Sequence, residues 1–258
     1  MPGFLHSIGW DAFKGAILQV LVAFYHVVGD YGVAIVLLTV AMRILLTPLV
    51  WKQTKSMMEL QQVQPKIKAI QDKYKGNKEK QQEELMKFYQ ENKVNPFGGC
   101  LPLLLQMPIF VALYGVLGQP ADSVGPTFAH QLVEIGQKYG PQAAVAAKRF
   151  WIILPDLTMS PSVVFQPFLK AGDYLGGVSH ALPYLLLVAL FGVSTWLPQY
   201  LMTKDPTQRK TGAYMAIFML FIGWSIPGGV LVYWVTSSAW QVGQQIIMQR
   251  LTARSKGA

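Results

Sequence analysis

Five stretches of this sequence, residues 31–51, 96–118, 180–202, 211–226 and 227–249, hold between them a single charged side chain, Arg43. Runs so long and so poor in charge leave a chain little choice of fold. In water they would need covering on every side, whereas a bilayer core about 30 Å thick accepts ~20 apolar residues as one helix. A soluble domain instead breaks its apolar residues into amphipathic periods. With 52% hydrophobic and 14% charged residues, the chain reads as an all-α polytopic membrane protein with five transmembrane helices.

The basic residues orient it. Of 22 Lys and Arg, 16 fall in Lys52–Lys93, Lys204–Lys210 and Arg250–Lys256, each flanking an apolar run. This is the positive-inside pattern rather than a nucleic-acid surface, so no nucleic-acid specificity is expected despite a net charge of +9. The amino terminus is then outside and the carboxyl terminus cytoplasmic. The first 30 residues have one Lys, no Arg and two Asp. They resemble neither a transit peptide nor a signal peptide with a basic start, which points to a bacterial inner membrane.

Along the chain, residues 1–30 form an external segment. Within it, Trp10–Val28 mixes Asp11, Lys14, Gln19 and His26 with apolar residues. An interfacial amphipathic helix is expected there, with a sixth span as the alternative. After the first span, 31–51, residues 52–95 read as a cytoplasmic helical hairpin of net +4, broken at Lys75–Gly76–Asn77. The second span, 96–118, carries Pro102 and Pro108, kinks that neighbouring helices can accommodate. Residues 119–179 are a 61-residue external region with four basic groups, to which pattern alone assigns no fold. The third span, 180–202, is followed by a short basic cytoplasmic loop, 203–210. The fourth, 211–226, turns outside at Pro227–Gly229 into the fifth, 227–249, and residues 250–258 form a basic cytoplasmic tail.

Arg43 is the residue that demands explanation. A charged arginine at a helix centre costs ~2.5–3.5 kcal/mol on insertion scales. It lies ten residues after Val33, about 15 Å into the layer at 1.5 Å per residue, so snorkelling would have to cross much of the remaining depth. Thr39 and Thr47 sit four residues to either side, on the same face. None of the five spans contains Asp or Glu. The expected solution is a water-filled hydrophilic groove around Arg43 rather than an intramembrane ion pair. Gln106, Gln199 and the stripe Tyr233, Ser237, Gln241 and Gln244 are candidates to line it. Interhelical hydrogen bonding accounts for Gln106 better and for the others equally well.

Catalysis finds no constellation. His6, His26, His130 and His180 form no HExxH motif and lie in or beside external regions, and the string around Ser225 fails the G-x-S-x-G pattern. Cys100 is the sole cysteine, so neither an intramolecular disulfide nor a zinc cluster is expected. No cofactor, metal or enzymatic activity is anticipated. An anion transporter or channel using Arg43 remains an alternative, although inverted repeats and paired broken helices are not apparent. An assembly chaperone that holds helices without inserting them is a third class.

Several strings together resemble the YidC/Oxa/Alb family of membrane protein insertases. They are "LLTVAMRILLTPL" around Arg43, "QPKIKAIQDKY" in the hairpin, "VNPFGGCLPLLLQMPIF" from Val94, "DPTQRK" from Asp205 and "PGGVLVYWVTSSAWQVGQQ" from Pro227. The resemblance implies five helices enclosing a groove open to the cytoplasm and to lipid but closed outside. It implies insertion of small membrane proteins, alone or with the Sec translocon, with nascent chains bearing short acidic translocated tails as clients. Arg43 matches the groove arginine, Thr39 a polar position one turn before it, and Gln199 the groove glutamine. Tyr233 and Trp234 match substrate-facing aromatic positions. The hairpin is similar to one that receives substrates or meets targeting factors. With no large domain before the arginine helix, the chain resembles the short, Gram-positive type. Ser238 stands where many relatives carry asparagine, and the tail lacks the long basic extension with which some grip ribosomes.

Overall fold

A computed structural model describes residues 2–92, 94, 101–118, 127–151, 153–202 and 206–256. The start of the 96–118 segment with Cys100, residues 119–126, and Lys204 and Asp205 lie outside them. The described residues form ten helices: α1 (Pro2–Val28), α2 (Tyr31–Lys73), α3 (Lys78–Glu91), α4 (Leu101–Gly118), α5 (Phe128–Tyr139), α6 (Pro141–Ala147), α7 (Pro161–Ala171), α8 (Tyr174–Met202), α9 (Pro206–Gly223) and α10 (Gly228–Lys256). An isolated antiparallel bridge joins Phe150 and Leu154. The chain divides into two compact units, Met1–Arg43 with Ile109–Ala258, and Ile44–Pro108.

Three described helical stretches are long and apolar enough to cross a membrane: Gly9–Val28, Tyr31–Leu60 and Tyr174–Leu201. Gln106–Gly118 is a shorter apolar helix. Several elements outrun the segments drawn from sequence. Helix α8 begins six residues before 180, and α10 continues past 249 into the basic tail. Backbone hydrogen bonding follows propensity and continuity of the chain rather than the polarity that marks a membrane boundary.

Helix α1 has a buried stripe of Lys14, Ile17, Leu18 and Leu21, spaced by three, four and seven as one helical face requires. The Lys14 ammonium pairs with Asp11 Oδ1 at 2.8 Å. Its methylene stem lies over Gly115 of α4, where an added Cβ would stand 3.4 Å from Lys14 Cδ. A long cationic side chain can thus cover apolar surface with its stem.

The α1–α2 junction turns at Gly29, whose φ of +71° suits glycine. Asp30 then caps α2, its Oδ1 accepting the Val33 N–H at 2.9 Å. Tyr31 stacks on Tyr25 at 4.0 Å and meets the edge of Phe128 of α5 at 4.5 Å.

The 119–179 region, which pattern left unassigned, folds in its described part into α5, α6, α7 and the start of α8. Helices α5 and α6 pack together, and α8 packs against α7, α9 and α10. Between α6 and α7, Leu154 and Leu157 are fully buried. This segment is tied to the helix ends by backbone bonds: Gly229 N–H donates to Leu157 O at 2.8 Å and Gly228 N–H to Met159 O at 2.9 Å. Two of the N–H groups that the start of α10 would leave unsatisfied are used in this way.

Tyr184 of α8 completes the tie. Its hydroxyl donates to Asp156 O at 2.8 Å and accepts Asp156 N–H at 3.0 Å, with the residue only 1% exposed. Tyr184→Phe is expected to destabilise the protein by about 1–3 kcal/mol, because both backbone groups of Asp156 lose this partner. Thermal unfolding in detergent micelles measures it.

In the second unit, the remainder of α2 passes through Pro48 and Pro65 without ending. It turns at residues 74–77, where Asn77 caps α3 by accepting Lys80 N–H at 3.0 Å. Lys73 and Lys80 both lie over the Tyr74 ring, at 5.2 and 5.9 Å. Gln81 of α3 donates back to Gln71 O of α2 at 2.7 Å, closing the hairpin turn.

Candidate functional site

The site is built on α2 and α10. Arg43 projects from α2 thirteen residues beyond the Asp30 cap, and its Nε donates to Ser237 Oγ of α10 at 2.9 Å. Its Nη2 donates to the same hydroxyl oxygen. Residues 194 apart in sequence are thus joined by one guanidinium and one hydroxyl. Ser237 is 2% exposed, so the partner is held in a fixed place by packing.

One turn before Ser237, Tyr233 is 3% exposed and close enough to interact electrostatically with Arg43. Beside it, the Trp234 ring stands edge-on to Phe110 of α4 and to Phe191 of α8, each at 5.3 Å with interplanar angles of 85° and 75°. Edge-to-face contacts of this kind fix ring orientation. Gln241, one turn beyond Ser237, is half-buried, and Ser238 is buried. The α10 stripe of Tyr233, Ser237, Gln241 and Gln244 therefore lies along one helical face.

The other residues singled out from sequence have local engagements. Thr39 is 1% exposed and its hydroxyl donates to Ile35 O of its own helix at 2.6 Å. Such back-bonding satisfies a hydroxyl inside an apolar helix. Gln199 is exposed near the end of α8 and packs on α9 at Gly212, where an added Cβ would meet Gln199 Oε1 at 2.6 Å. Next to it, Trp196 stacks on Tyr200 at 4.7 Å, and the Arg209 guanidinium lies over the Tyr200 ring at 4.5 Å. Phe110 and Phe191 gave no sequence signal, because a phenylalanine in an apolar span is indistinguishable from its lipid-facing neighbours.

Several buried polar atoms of α10 have no hydrogen-bond partner among the described residues: Trp234 Nε1, Trp240 Nε1, both amide atoms of Gln244 and Gln245 Oε1. Each would cost about 1–3 kcal/mol if it stayed unsatisfied. No group of three or more potential metal ligands occurs among the described residues.

Described residues that are almost entirely helical, with three stretches of membrane-spanning length and apolarity, define an integral membrane protein. The family model of the 60Kd inner membrane protein matches residues 23–256, and the chain belongs to this family, that of the YidC/Oxa-type insertases. A relative named membrane protein insertase YidC from Caldanaerobacter subterraneus is 31% identical over 239 residues, covering 93% of this chain and 95% of that one. Relatives of the same name from Pelobacter propionicus and Endomicrobium trichonymphae are 31% and 34% identical over 95% and 96% of this chain. The chain spans about two fifths of the length of these two, 40% and 41%. The crystal structure of an active YidC insertase with its first transmembrane domain resolved superposes with a TM-score of 0.63 at 27% identity. The match covers 91% of this chain and 45% of that one.

Proposed function

We propose that this chain inserts and helps fold small membrane proteins through a positively charged groove within the membrane, alone or alongside the Sec translocon. The observation that carries the reading is the Arg43–Ser237 link inside an apolar span, in a chain whose five apolar stretches contain no carboxylate. An incoming acidic tail supplies the charge those stretches lack. At an effective dielectric of about 20, two unit charges 4 Å apart attract by ~4 kcal/mol, against ~1 kcal/mol in bulk water. The buried polar atoms of α10 support a hydrated lining, since water or a client backbone would satisfy them.

Five spans, with the amino terminus outside and the carboxyl terminus in the cytoplasm of a bacterial cell, give the tail its direction. Polar groove groups lower its desolvation cost during passage. Closure at the outer end is consistent with the Leu154–Met159 segment, whose carbonyls take the first N–H groups of α10. Once the tail has crossed, the client's apolar segment leaves for lipid, a step favoured by about 0.8 kcal/mol per buried CH₂. The membrane potential adds ~2.3 kcal/mol per charge per 100 mV for an acidic tail moving outward. No nucleotide is consumed. In this reading Gln199, Trp234 and Gln241 contact the client, and the hairpin receives it or its targeting factors.

Ser237→Ala is expected to lower insertion of an acidic-tailed client by about tenfold, the lower end of the ~1.5–3 kcal/mol that hydrogen bonds to charged groups contribute. Ser237→Thr, which keeps a hydroxyl, should retain most of the rate. Insertion of a single-span client into proteoliposomes, scored by protease protection, measures both. Crosslinking from Arg43, Gln199 and Trp234 to a stalled client tests the groove directly. A client that crosslinks at none of the three would refute it.

A further inference from the structure

The tip of the segment between α6 and α7 combines features that packing alone does not require. Trp151 has φ of +43°, the left-handed region that disfavours bulky residues, and it is the one such non-glycine among the described residues. Its side chain is nevertheless 68% exposed, and Ile153 beside it is 50% exposed. Strain of this kind costs about 1–3 kcal/mol and persists only where the surroundings over-determine it.

Here they do. Trp151 N–H donates to Asp30 Oδ2 at 2.9 Å. Phe150 N–H donates to Leu154 O at 3.0 Å, Leu154 N–H to Phe150 O at 3.2 Å, and Leu157 N–H to Lys148 O at 2.8 Å. The Phe150 ring lies against Gly32, leaving no room for a Cβ there. The backbone is thus clamped from both sides while two large apolar side chains are turned outward.

Depth identifies what they meet. The carboxylate that holds Trp151 is the one that caps α2, with Oδ1 on Val33 N–H and Oδ2 on Trp151 N–H. Trp151 therefore sits level with the first turn of the stretch Tyr31–Leu60, which is long and apolar enough to span. That level is the boundary between headgroups and acyl chains, where tryptophan is favoured because its ring is apolar and its N–H polar. Exposed Arg149 stands two residues before Trp151, a donor suited to lipid phosphate.

We infer that Trp151 and Ile153 form a wedge seated in the headgroup–acyl boundary of the bilayer at this end of α2, with lipid as its partner. Asp30 is its positioning residue, and the wedge fixes the outer segment to the membrane surface beside the helix ends it covers. The inference rests on reading α2 as a span and is independent of insertase activity.

The test uses Cys100→Ser protein carrying Trp151→Cys or Ile153→Cys, labelled with an environment-sensitive fluorophore and reconstituted in phosphatidylcholine–phosphatidylglycerol vesicles. Leu45→Cys, on a 72% exposed position of α2, reports the hydrocarbon. Labels at 151 and 153 should be quenched most by lipid spin labels near the headgroup and at least about twofold less by aqueous iodide than free label. Iodide quenching equal to that of free label at both positions, with Leu45 shielded, would overturn the wedge and leave the span intact. Aqueous exposure at Leu45 as well would overturn both. The Ile153 label, with Trp151 in place, guards against misfolding of the Trp151 variant.

Discussion

Arg43→Ala is expected to reduce insertion of clients with acidic tails by tenfold or more while leaving the protein folded, and Arg43→Lys is expected to retain much of the activity. The sign follows from charge. Alanine removes the cation that a carboxylate would meet within the span, together with both donors to Ser237. Loss of even 1.4 kcal/mol is tenfold, and the attraction at issue is ~4 kcal/mol at close approach. Lysine restores a point charge but not the guanidinium fork. Arg43→Glu should be worse than alanine, because it repels the tail. Clients with neutral tails should respond little to any of the three. Insertion rates of matched acidic and neutral clients in proteoliposomes decide the matter, and an unchanged rate for Arg43→Ala with the acidic client would sink the electrostatic mechanism.

The second large effect is structural. Gly32→Ala should destabilise the protein by about 1–3 kcal/mol, the usual range for overpacking, although alanine gains up to ~1 kcal/mol over glycine in helix propensity. The added methyl would stand 2.1 Å from Phe150 Cδ2 and 2.5 Å from its Cβ. A clash with the root of a side chain cannot be relieved by moving its tip. Combining Gly32→Ala with Phe150→Ala should cost less than the two changes summed, and thermal unfolding of the three variants in micelles measures the coupling. Strict additivity would show that the ring gives way without cost.

How much of this was legible follows from where the signal lies. Arg43 stands out because hydrocarbon makes a charge expensive, and the α10 stripe stands out because polar residues recur every turn in an apolar run. The partner within that stripe did not. Tyr233, Ser237 and Gln241 share a face, and only the approach of α10 to Arg43 selects Ser237. Thr39 looked equivalent to Thr47 by spacing, yet a hydroxyl in an apolar helix satisfies itself on the carbonyl four residues back. Trp10–Val28 reads as amphipathic because Asp11 and Lys14 count as two charges. In the structure they form an ion pair whose lysine is buried, and Gly9–Val28 has the length and apolarity of a span. The segment between α6 and α7 was illegible because its determinants are long-range: Asp30 with Trp151, Tyr184 with Asp156, and Gly229 with Leu157. No local period encodes such pairs.

The hydroxyl that receives Arg43 has a kinetic consequence. Serine holds the guanidinium in position but brings no opposite charge, so in the proposed mechanism a client carboxylate displaces it by adding a Coulomb attraction of ~4 kcal/mol at close approach. When the carboxylate departs, Ser237 is still one helix away and retakes its place. On that proposal, capture and release amount to ligand exchange at Arg43, with its bond to Ser237 restored after each passage.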